Sequence, residues 1–143
     1  SGQGWTTTAS SGGWLEAVAD AMAAAHHRRY IVLTKRPGKW LRALPASCWV
    51  GVTIESQAQM WRWRWLQAHA WLRALKFVSV EPMLGPVSFE GVRPLPGWVI
   101  AGPETGPKAR QCEAAWIEGL SAESPCFYDK RRGGPDLRKE FPW

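Results

Sequence analysis

Charged residues follow each of five apolar segments along the chain, and their types suit binding or acid–base chemistry. In chain order they are Lys35, Arg36, Glu55, Glu81, Glu104, Asp129 and Lys130. Carboxylates of this kind can bind a cation, hold an amine or act as a general base, whereas the basic side chains suit a carboxylate or a phosphate. Their recurrence predicts one shared polar site, although charges can also simply mark where a strand reaches solvent. No catalytic role is assigned to any of them.

The other reactive residues exclude several kinds of site. No histidine follows any of the five segments, so a Ser-His-Asp site is unsupported. The cysteines, Cys48, Cys112 and Cys126, are odd in number and far apart, which argues against a disulfide framework and against a zinc or iron–sulfur motif. We therefore expect reduced thiols, no metal site and no cofactor held by this chain.

The elements that position these residues alternate between apolar runs and helical patterns. Apolar runs predict strands at 30–34, 48–54, 76–80, 98–101 and 126–128, and helical spacing predicts helices at 13–27, 39–44, 57–74 and 111–120. Nearly continuous hydrophobic strands are typical of a parallel sheet covered on both faces. The predicted fold class is α/β, with about five parallel strands alternating with helices in a partial TIM-barrel-like arrangement, since a whole barrel takes about 250 residues.

The 143 residues are enough for one domain. Residues 1–13 are rich in Gly, Ser and Thr and are expected to form a flexible leader, 14–130 the α/β domain, and 131–143 a basic irregular tail. We expect neither a membrane-spanning helix nor a signal peptide, because the apolar runs are short and the start lacks basic residues. The expected location is the cytoplasm, with no membrane partner.

A net charge of +6 and eleven tryptophans suggest a second class of function. The segment 61–65 (WRWRW) interleaves ring faces with cations, the combination that single-stranded nucleic acid requires. The candidates for nucleic-acid binding are Arg62, Trp63, Arg64, Arg131 and Arg132. The competing interpretation is a helical stripe packed on the sheet, formed by Trp61, Trp65, Ala68 and Leu72, which leaves Trp63 exposed or at an interface.

Four motifs at the strand ends carry a resemblance to a known family. They are LTKRP at 33–37, WVGVTIE at 49–55, FVSVEPMLGP at 77–86, and WVIAGPETGP at 98–107 with Arg110. In this order they resemble the phage and prophage family of uncharacterised proteins named after gene products thirty-seven and sixty-eight. The resemblance implies a phage-derived protein with a radical-SAM-like partial barrel, and it implies an N-terminal cysteine triplet for a 4Fe–4S cluster with S-adenosylmethionine as cofactor.

This sequence departs from the family pattern at the cofactor positions. No cysteine precedes Cys48, so radical chemistry is not expected of this chain. The family's Gly-Gly-Glu-Ser stands here as GPET at 102–105, and its Lys-Gln-Trp-Gly ending as DKRRG at 129–133. We expect a phage-type protein related to a radical-SAM-like enzyme family that keeps the polar strand-end site without the cluster. The alternatives are a nucleic-acid-binding module and a non-catalytic subunit that completes a barrel with another chain.

An open parallel sheet has two edge strands with unpaired backbone groups, a template for pairing with another chain. The expected edges are 30–34 and 126–128. A homodimer is expected to cover them, with Trp63 at its interface, because symmetric dimers are the commonest oligomers and tryptophan is enriched at interfaces. A separate barrel-completing chain is the other possible partner.

Overall fold

The computed structural model of the protein describes residues 3–6, 13–25, 30–69, 72 and 75–132. The strands are β1 (Gln3–Thr6), β2 (Tyr30–Thr34), β3 (Trp49–Thr53), β4 (Lys76–Val80), β5 (Val99–Ala101) and β6 (Phe127–Asp129). The α-helices are α1 (Gly13–Ala24), α2 (Met60–Ala68) and α3 (Ala114–Glu123), and 3-10 turns span Lys39–Ala43 and Gln57–Gln59. Among the described residues, no helix combines the length and apolar character that a membrane span needs.

All six strands are parallel, and their order across the sheet is their order along the chain. The α/β class and the parallel pairing of the five predicted strands are therefore confirmed. The expectation of a leader over 1–13 is corrected at Gln3–Thr6, which pairs with Tyr30–Leu33 and makes β1, not β2, the edge strand. Four residues among Gly, Ser and Thr carry too little apolar pattern to predict a strand, and pairing with β2 supplies what the pattern lacks.

One face of the sheet is aliphatic and carries the helices. On this face the strand register pairs Val32 with Val50, Val52 with Val78, and Val78 with Val99. Helices α2 and α3 cover it with Leu66, Ile117 and Leu120 among others, all fully buried. Small β-branched side chains let the helices approach the sheet closely, so this layer forms the main hydrophobic core.

The opposite face is aromatic and is packed by side chains of the sheet itself. Trp49, Phe77 and Trp98 are buried together, with ring centroids 5.8 Å apart for the two tryptophans and 5.4 Å for Phe77 and Trp98. The Phe77 ring lies across Gly51, where a Cβ atom would meet ring carbons at 2.3 to 2.6 Å. Within the described part of the chain, large rings and no helix cover this face, and only glycine at position 51 leaves room for them.

Helix α2 is shorter than predicted and faces the sheet with a different stripe. Its buried residues are Met60, Trp63 and Leu66, and Trp63 is 1% exposed with its indole N–H donating to the Pro94 carbonyl at 3.1 Å. Trp61 is 52% exposed. The predicted stripe is therefore wrong at Trp61 and Ala68, which are exposed, whereas Trp65 and Leu72 do pack on the core. The prediction that Trp63 is exposed or at an interface is wrong. Alternating Trp and Arg fit two helical phases equally well, and the acceptor for Trp63 lies 31 residues away.

Candidate binding site at the carboxyl ends of the strands

Backbone hydrogen bonds beyond the strand ends fix the rim where the site lies. The amide of Leu84 donates to the Glu55 carbonyl, that of Met83 to Gly102, and that of Lys130 to Ala101, each at 2.9 Å. The residues after β3, β4, β5 and β6 are thereby tied to one another. Carboxyl ends of parallel strands share one edge of a sheet, and here that edge is held rigidly enough to position side chains.

Glu55 is the centre of the first charged cluster. Its carboxylate accepts from Lys35 Nζ at 2.9 Å and from Arg62 Nη1 at 3.0 Å, and Arg62 also donates to the Thr53 carbonyl at 2.6 Å. Burial alone would raise the pKa of Glu55, but the hydrogen bond from Lys35 and the charges of Lys35 and Arg62 hold it below its usual value. Glu55 is therefore ionised and bridges two cations.

The loop after β5 forms the second cluster. Gly106, at φ 106°, turns the chain back on itself, and Arg110 then binds Glu104 through its amide, Nε and Nη2, each at 2.8 Å. The side-chain hydrogen bonds from Arg110 lower the pKa of Glu104 to about 2. This bidentate pair holds an exposed guanidinium in one place over the rim.

The remaining strand-end acids are also paired. Lys130 Nζ lies 2.6 Å from Glu81, and Asp129 accepts two-pronged hydrogen bonds from Arg131 at 2.7 to 3.2 Å. Arg132 Nε lies 3.8 Å from the same carboxylate. The hydrogen bonds from Arg131 lower the pKa of Asp129. Every predicted acid of the rim therefore has a basic partner.

A cavity of about 360 Å³ opens between the first two clusters. Its lining residues are Lys35, Glu55, Ser56, Gln59, Arg62, Pro82, Leu84 and Arg110. The lining holds three cations and one acid, and Glu104, which binds Arg110, adds a second acid beside it, so the cavity keeps a net positive charge. The Nε of Arg62 is buried and has no hydrogen-bond partner, which leaves one donor of this wall unsatisfied. The helical segment 57–68 also starts here, and its dipole adds to the positive potential. The arrangement suits a small anion.

Comparison with known proteins adds one result. The model of a protein family of unknown function, DUF5131, matches residues 7–131. The chain belongs to this family. No curated protein and no solved structure matches the chain significantly. The match covers every strand after β1 and all the rim residues, so the site described here lies within the part of the chain that defines the family.

Within this DUF5131 chain, the structure brings only part of the predicted site together. Lys35 and Glu55 line the cavity, and Glu104 adjoins it through Arg110. Glu81 and Lys130 pair with each other instead, and Asp129 pairs with Arg131 and Arg132. Arg36 is exposed, and its backbone serves the turn after β2: its amide donates to Thr34 Oγ1 and its carbonyl accepts from Trp40 Nε1, both at 2.9 Å.

The sequence did not indicate that Arg110 and the Ser56–Gln59 capping pair line the rim cavity, and it suggested Arg62 only for nucleic-acid binding. The available signal for Arg62 was its place in the first turn of a helix that directly follows β3, because such a residue lies close to the strand end. Arg110 belongs to the motif of the fourth strand, six residues after Glu104. Neither position predicts which acid it will bind.

The predicted nucleic-acid residues do not form one surface. Arg62 is part of the rim, Trp63 is in the core, and Arg131 and Arg132 bind Asp129. Arg64 alone of the five is exposed and has no acidic partner among the residues that the structure describes. The five residues therefore do not share one interface, and nucleic-acid binding by this chain stays a prediction.

The three cysteines do not fit an iron–sulfur cluster. Cys48 packs with Met22 and Val32 on the helix-covered face, whereas Cys126 packs against the aromatic cluster on the other face. Cys112 lies near Arg131 and Asp129. Burial raises the pKa of Cys48 to about 12, so it is a neutral thiol. These thiols lie in three separate places, and we assign no cluster or S-adenosylmethionine chemistry to them.

Proposed function

We propose that this chain binds a small molecule through a carboxylate or phosphate group in the rim cavity. The observation that carries the proposal is the convergence of Lys35, Arg62 and Arg110 on one cavity that contains a single acid, Glu55. A cavity of about 360 Å³ falls in the size range of small-molecule sites, roughly 300–1,000 Å³. Guanidinium groups recognise planar carboxylates and phosphates by paired hydrogen bonds, which gives the site its specificity.

The proposed architecture around this site is a partial (β/α)8 barrel. Two observations support it: the strands follow chain order across the sheet, and the described helices that pack on it lie on one face. A doubly wound sheet would reverse its strand order and place helices on both faces. In a barrel the inner face is filled by side chains, which is the role that Trp49, Phe77 and Trp98 would play.

The motif resemblance extends the proposal to a phage-type, cytoplasmic protein related to a radical-SAM-like enzyme family. In this view the chain keeps the anion-binding rim of such a protein, and its own thiols take no part in a cluster. Among the strands that the structure describes, β1 and β6 each pair on one side only. This supports a partner at the sheet edges, either a second copy or a barrel-completing chain. Sedimentation at micromolar concentration tests this, and a single monomeric species contradicts it.

Calorimetric titration tests the binding proposal, with succinate and pyrophosphate as anionic probes and putrescine as a cationic one. We expect saturable binding of at least one anion and none of putrescine. Arg110→Gln should weaken that binding several-fold, because it removes one of the three cations that line the cavity.

Arg42→Gln is the matched control, because Arg42 is an exposed arginine outside the rim cavity. It should bind the anions as the parent protein does. Absence of binding by both anions, or an equal loss in the two variants, would overturn the proposal.

A further inference from the structure

The outer side of α2 carries a second concentration of positive charge and aromatic surface. Trp61 is 52% exposed, and Arg64, three residues on, is also exposed. Residues three apart on a helix are neighbours, so positions 61 and 64 lie on the same outer side of α2. The guanidinium carbon of Arg62 lies 5.7 Å from the Trp61 ring centroid, which adds a cation at the same ring.

A cavity of about 290 Å³ adjoins this side of α2, where the helix meets the segment 91–94. Its lining residues are Trp63, Arg64, Gln67, Ala68, Gly91, Val92, Arg93 and Pro94. The lining includes two arginines and no acid, and the acid nearest in sequence, Glu90, is not part of it. Arg93 Nη1 donates to the Val92 carbonyl at 2.7 Å, and no carboxylate pairs with Arg64 or Arg93 in the described part of the chain.

The surface of Trp61, Arg64 and Arg93, which we call the α2 surface, is unsuited to an apolar protein partner. Only Trp61 and Leu75 are large exposed hydrophobic residues among those described, so no apolar patch surrounds the ring. Unpaired arginines beside one exposed indole match phosphates and a base: the cations follow the backbone and the ring stacks a base. The chain's net charge of +6 favours the same class of partner.

We propose that the α2 surface binds single-stranded nucleic acid. Arg64 and Arg93 contact backbone phosphates at the mouth of the cavity, and Trp61 stacks one base. This set shares only Arg64 with the residues that sequence spacing suggests, because folding buries Trp63 and pairs Arg131 with Asp129. The α2 surface is distinct from the rim cavity, since neither Trp61 nor Arg93 lines that cavity, and the two sites adjoin only at Arg62.

Fluorescence anisotropy of a labelled oligothymidylate of roughly 12 nucleotides, within the usual site sizes of about 4–16, tests this on the full chain. Trp61→Ala should weaken binding about ten-fold. The double variant Arg64→Gln, Arg93→Gln should reduce the slope of log K against log salt by about 1.4, since each phosphate contact with a single strand contributes about 0.7. Arg110→Gln, at the rim, should change neither value.

Circular dichroism and thermal melting must first show that each variant is folded, which the exposure of all three α2-surface residues favours. Three results would overturn the proposal: no saturable binding at low salt, binding that depends on Arg131 and Arg132 but not on the α2 surface, and thymidine monophosphate competing as well as the oligonucleotide. The last result would make the cavity a site for a small phosphate ester.

Discussion

Arg62 and Arg64 lie two residues apart on α2, and the structure places them in opposite situations. The Arg62 side chain is 15% exposed and binds Glu55 and the Thr53 carbonyl. Arg64 is exposed on the outer side of the helix and adjoins a cavity without an acid. Two arginines separated by a single residue thus belong to two different surfaces. What decides is the neighbour that each helical position meets: the end of β3 for Arg62, and the segment 91–94 for Arg64.

The same contrast separates the two cavities. At the rim the cations are held in place by acids, so a ligand meets a pre-formed geometry and its recognition depends on shape. On the α2 surface the cations are unpaired by acids of the described chain, so association there should depend on screening by salt. Paired charges favour selective binding of a small ligand, whereas unpaired charges favour binding of an extended polyanion.

Truncation of two neighbouring tryptophans should give the largest difference between the two sides of α2. Trp63→Ala removes a fully buried side chain and leaves the Pro94 carbonyl without its donor, so we expect a loss of about 3–5 kcal/mol in the free energy of unfolding. Trp61→Ala, at an exposed position, should change it by no more than about 0.5 kcal/mol. Urea unfolding measures both, and equal losses would mean that the helix faces the sheet differently.

Replacing Arg62 or Arg64 by methionine should give a smaller difference in the free energy of unfolding, again with the larger loss at the less exposed residue. Arg62→Met leaves the Thr53 carbonyl and one oxygen of Glu55 without a donor, at a cost of about 1–3 kcal/mol, while Lys35 keeps part of the interaction. Arg64→Met should be nearly neutral, within about 0.5 kcal/mol. The measurement is again urea unfolding, and a neutral Arg62→Met would show that the rim pairing contributes little to stability.

Much of this architecture follows from the sequence, because strand patterns are local. The apolar runs predicted all five strands after β1, and of the charged residues that follow them Lys35 and Glu55 line the rim cavity. The pairing within the rim does not follow, since Glu81 selects Lys130, 49 residues away, and no local pattern encodes that contact.

The phase of α2 could not be predicted for a related reason. Its alternating residues put a tryptophan on either side of the helix. Which tryptophan faces the sheet is decided by the packing of Met60 and Leu66 and by the hydrogen bond from Trp63 to the distant Pro94 carbonyl. Strand β1 was missed because four residues, Gln3–Thr6, are too few to show a pattern and depend on their partner strand. Tertiary contacts override local propensity at both places.

The smallest predicted effect is the loss of the Glu104–Arg110 pair when Glu104 is protonated at acid pH. Its pKa lies at about 2 instead of 4.5, so the pair with Arg110 is complete above about pH 4.5 and is lost as the pH falls toward 2. A carbon-13 NMR titration should show the Glu104 carboxyl titrating near that lower value, and Arg110→Gln should raise its pKa toward the ordinary one. A parent Glu104 that titrates near 4.5 would mean that Arg110 is not held over the rim.

The central claim, that the rim cavity and not the α2 surface takes the small anion, is tested most directly on the arginines themselves. Side-chain Nε–Hε signals of Arg62, Arg64 and Arg110 can be followed by NMR while succinate or pyrophosphate is added. We expect at least one of these anions to shift the Arg62 and Arg110 signals together along one saturating curve, at lower concentration than any shift of Arg64. A first response at Arg64 with both anions, or no response of Arg62 and Arg110 to either, would contradict it.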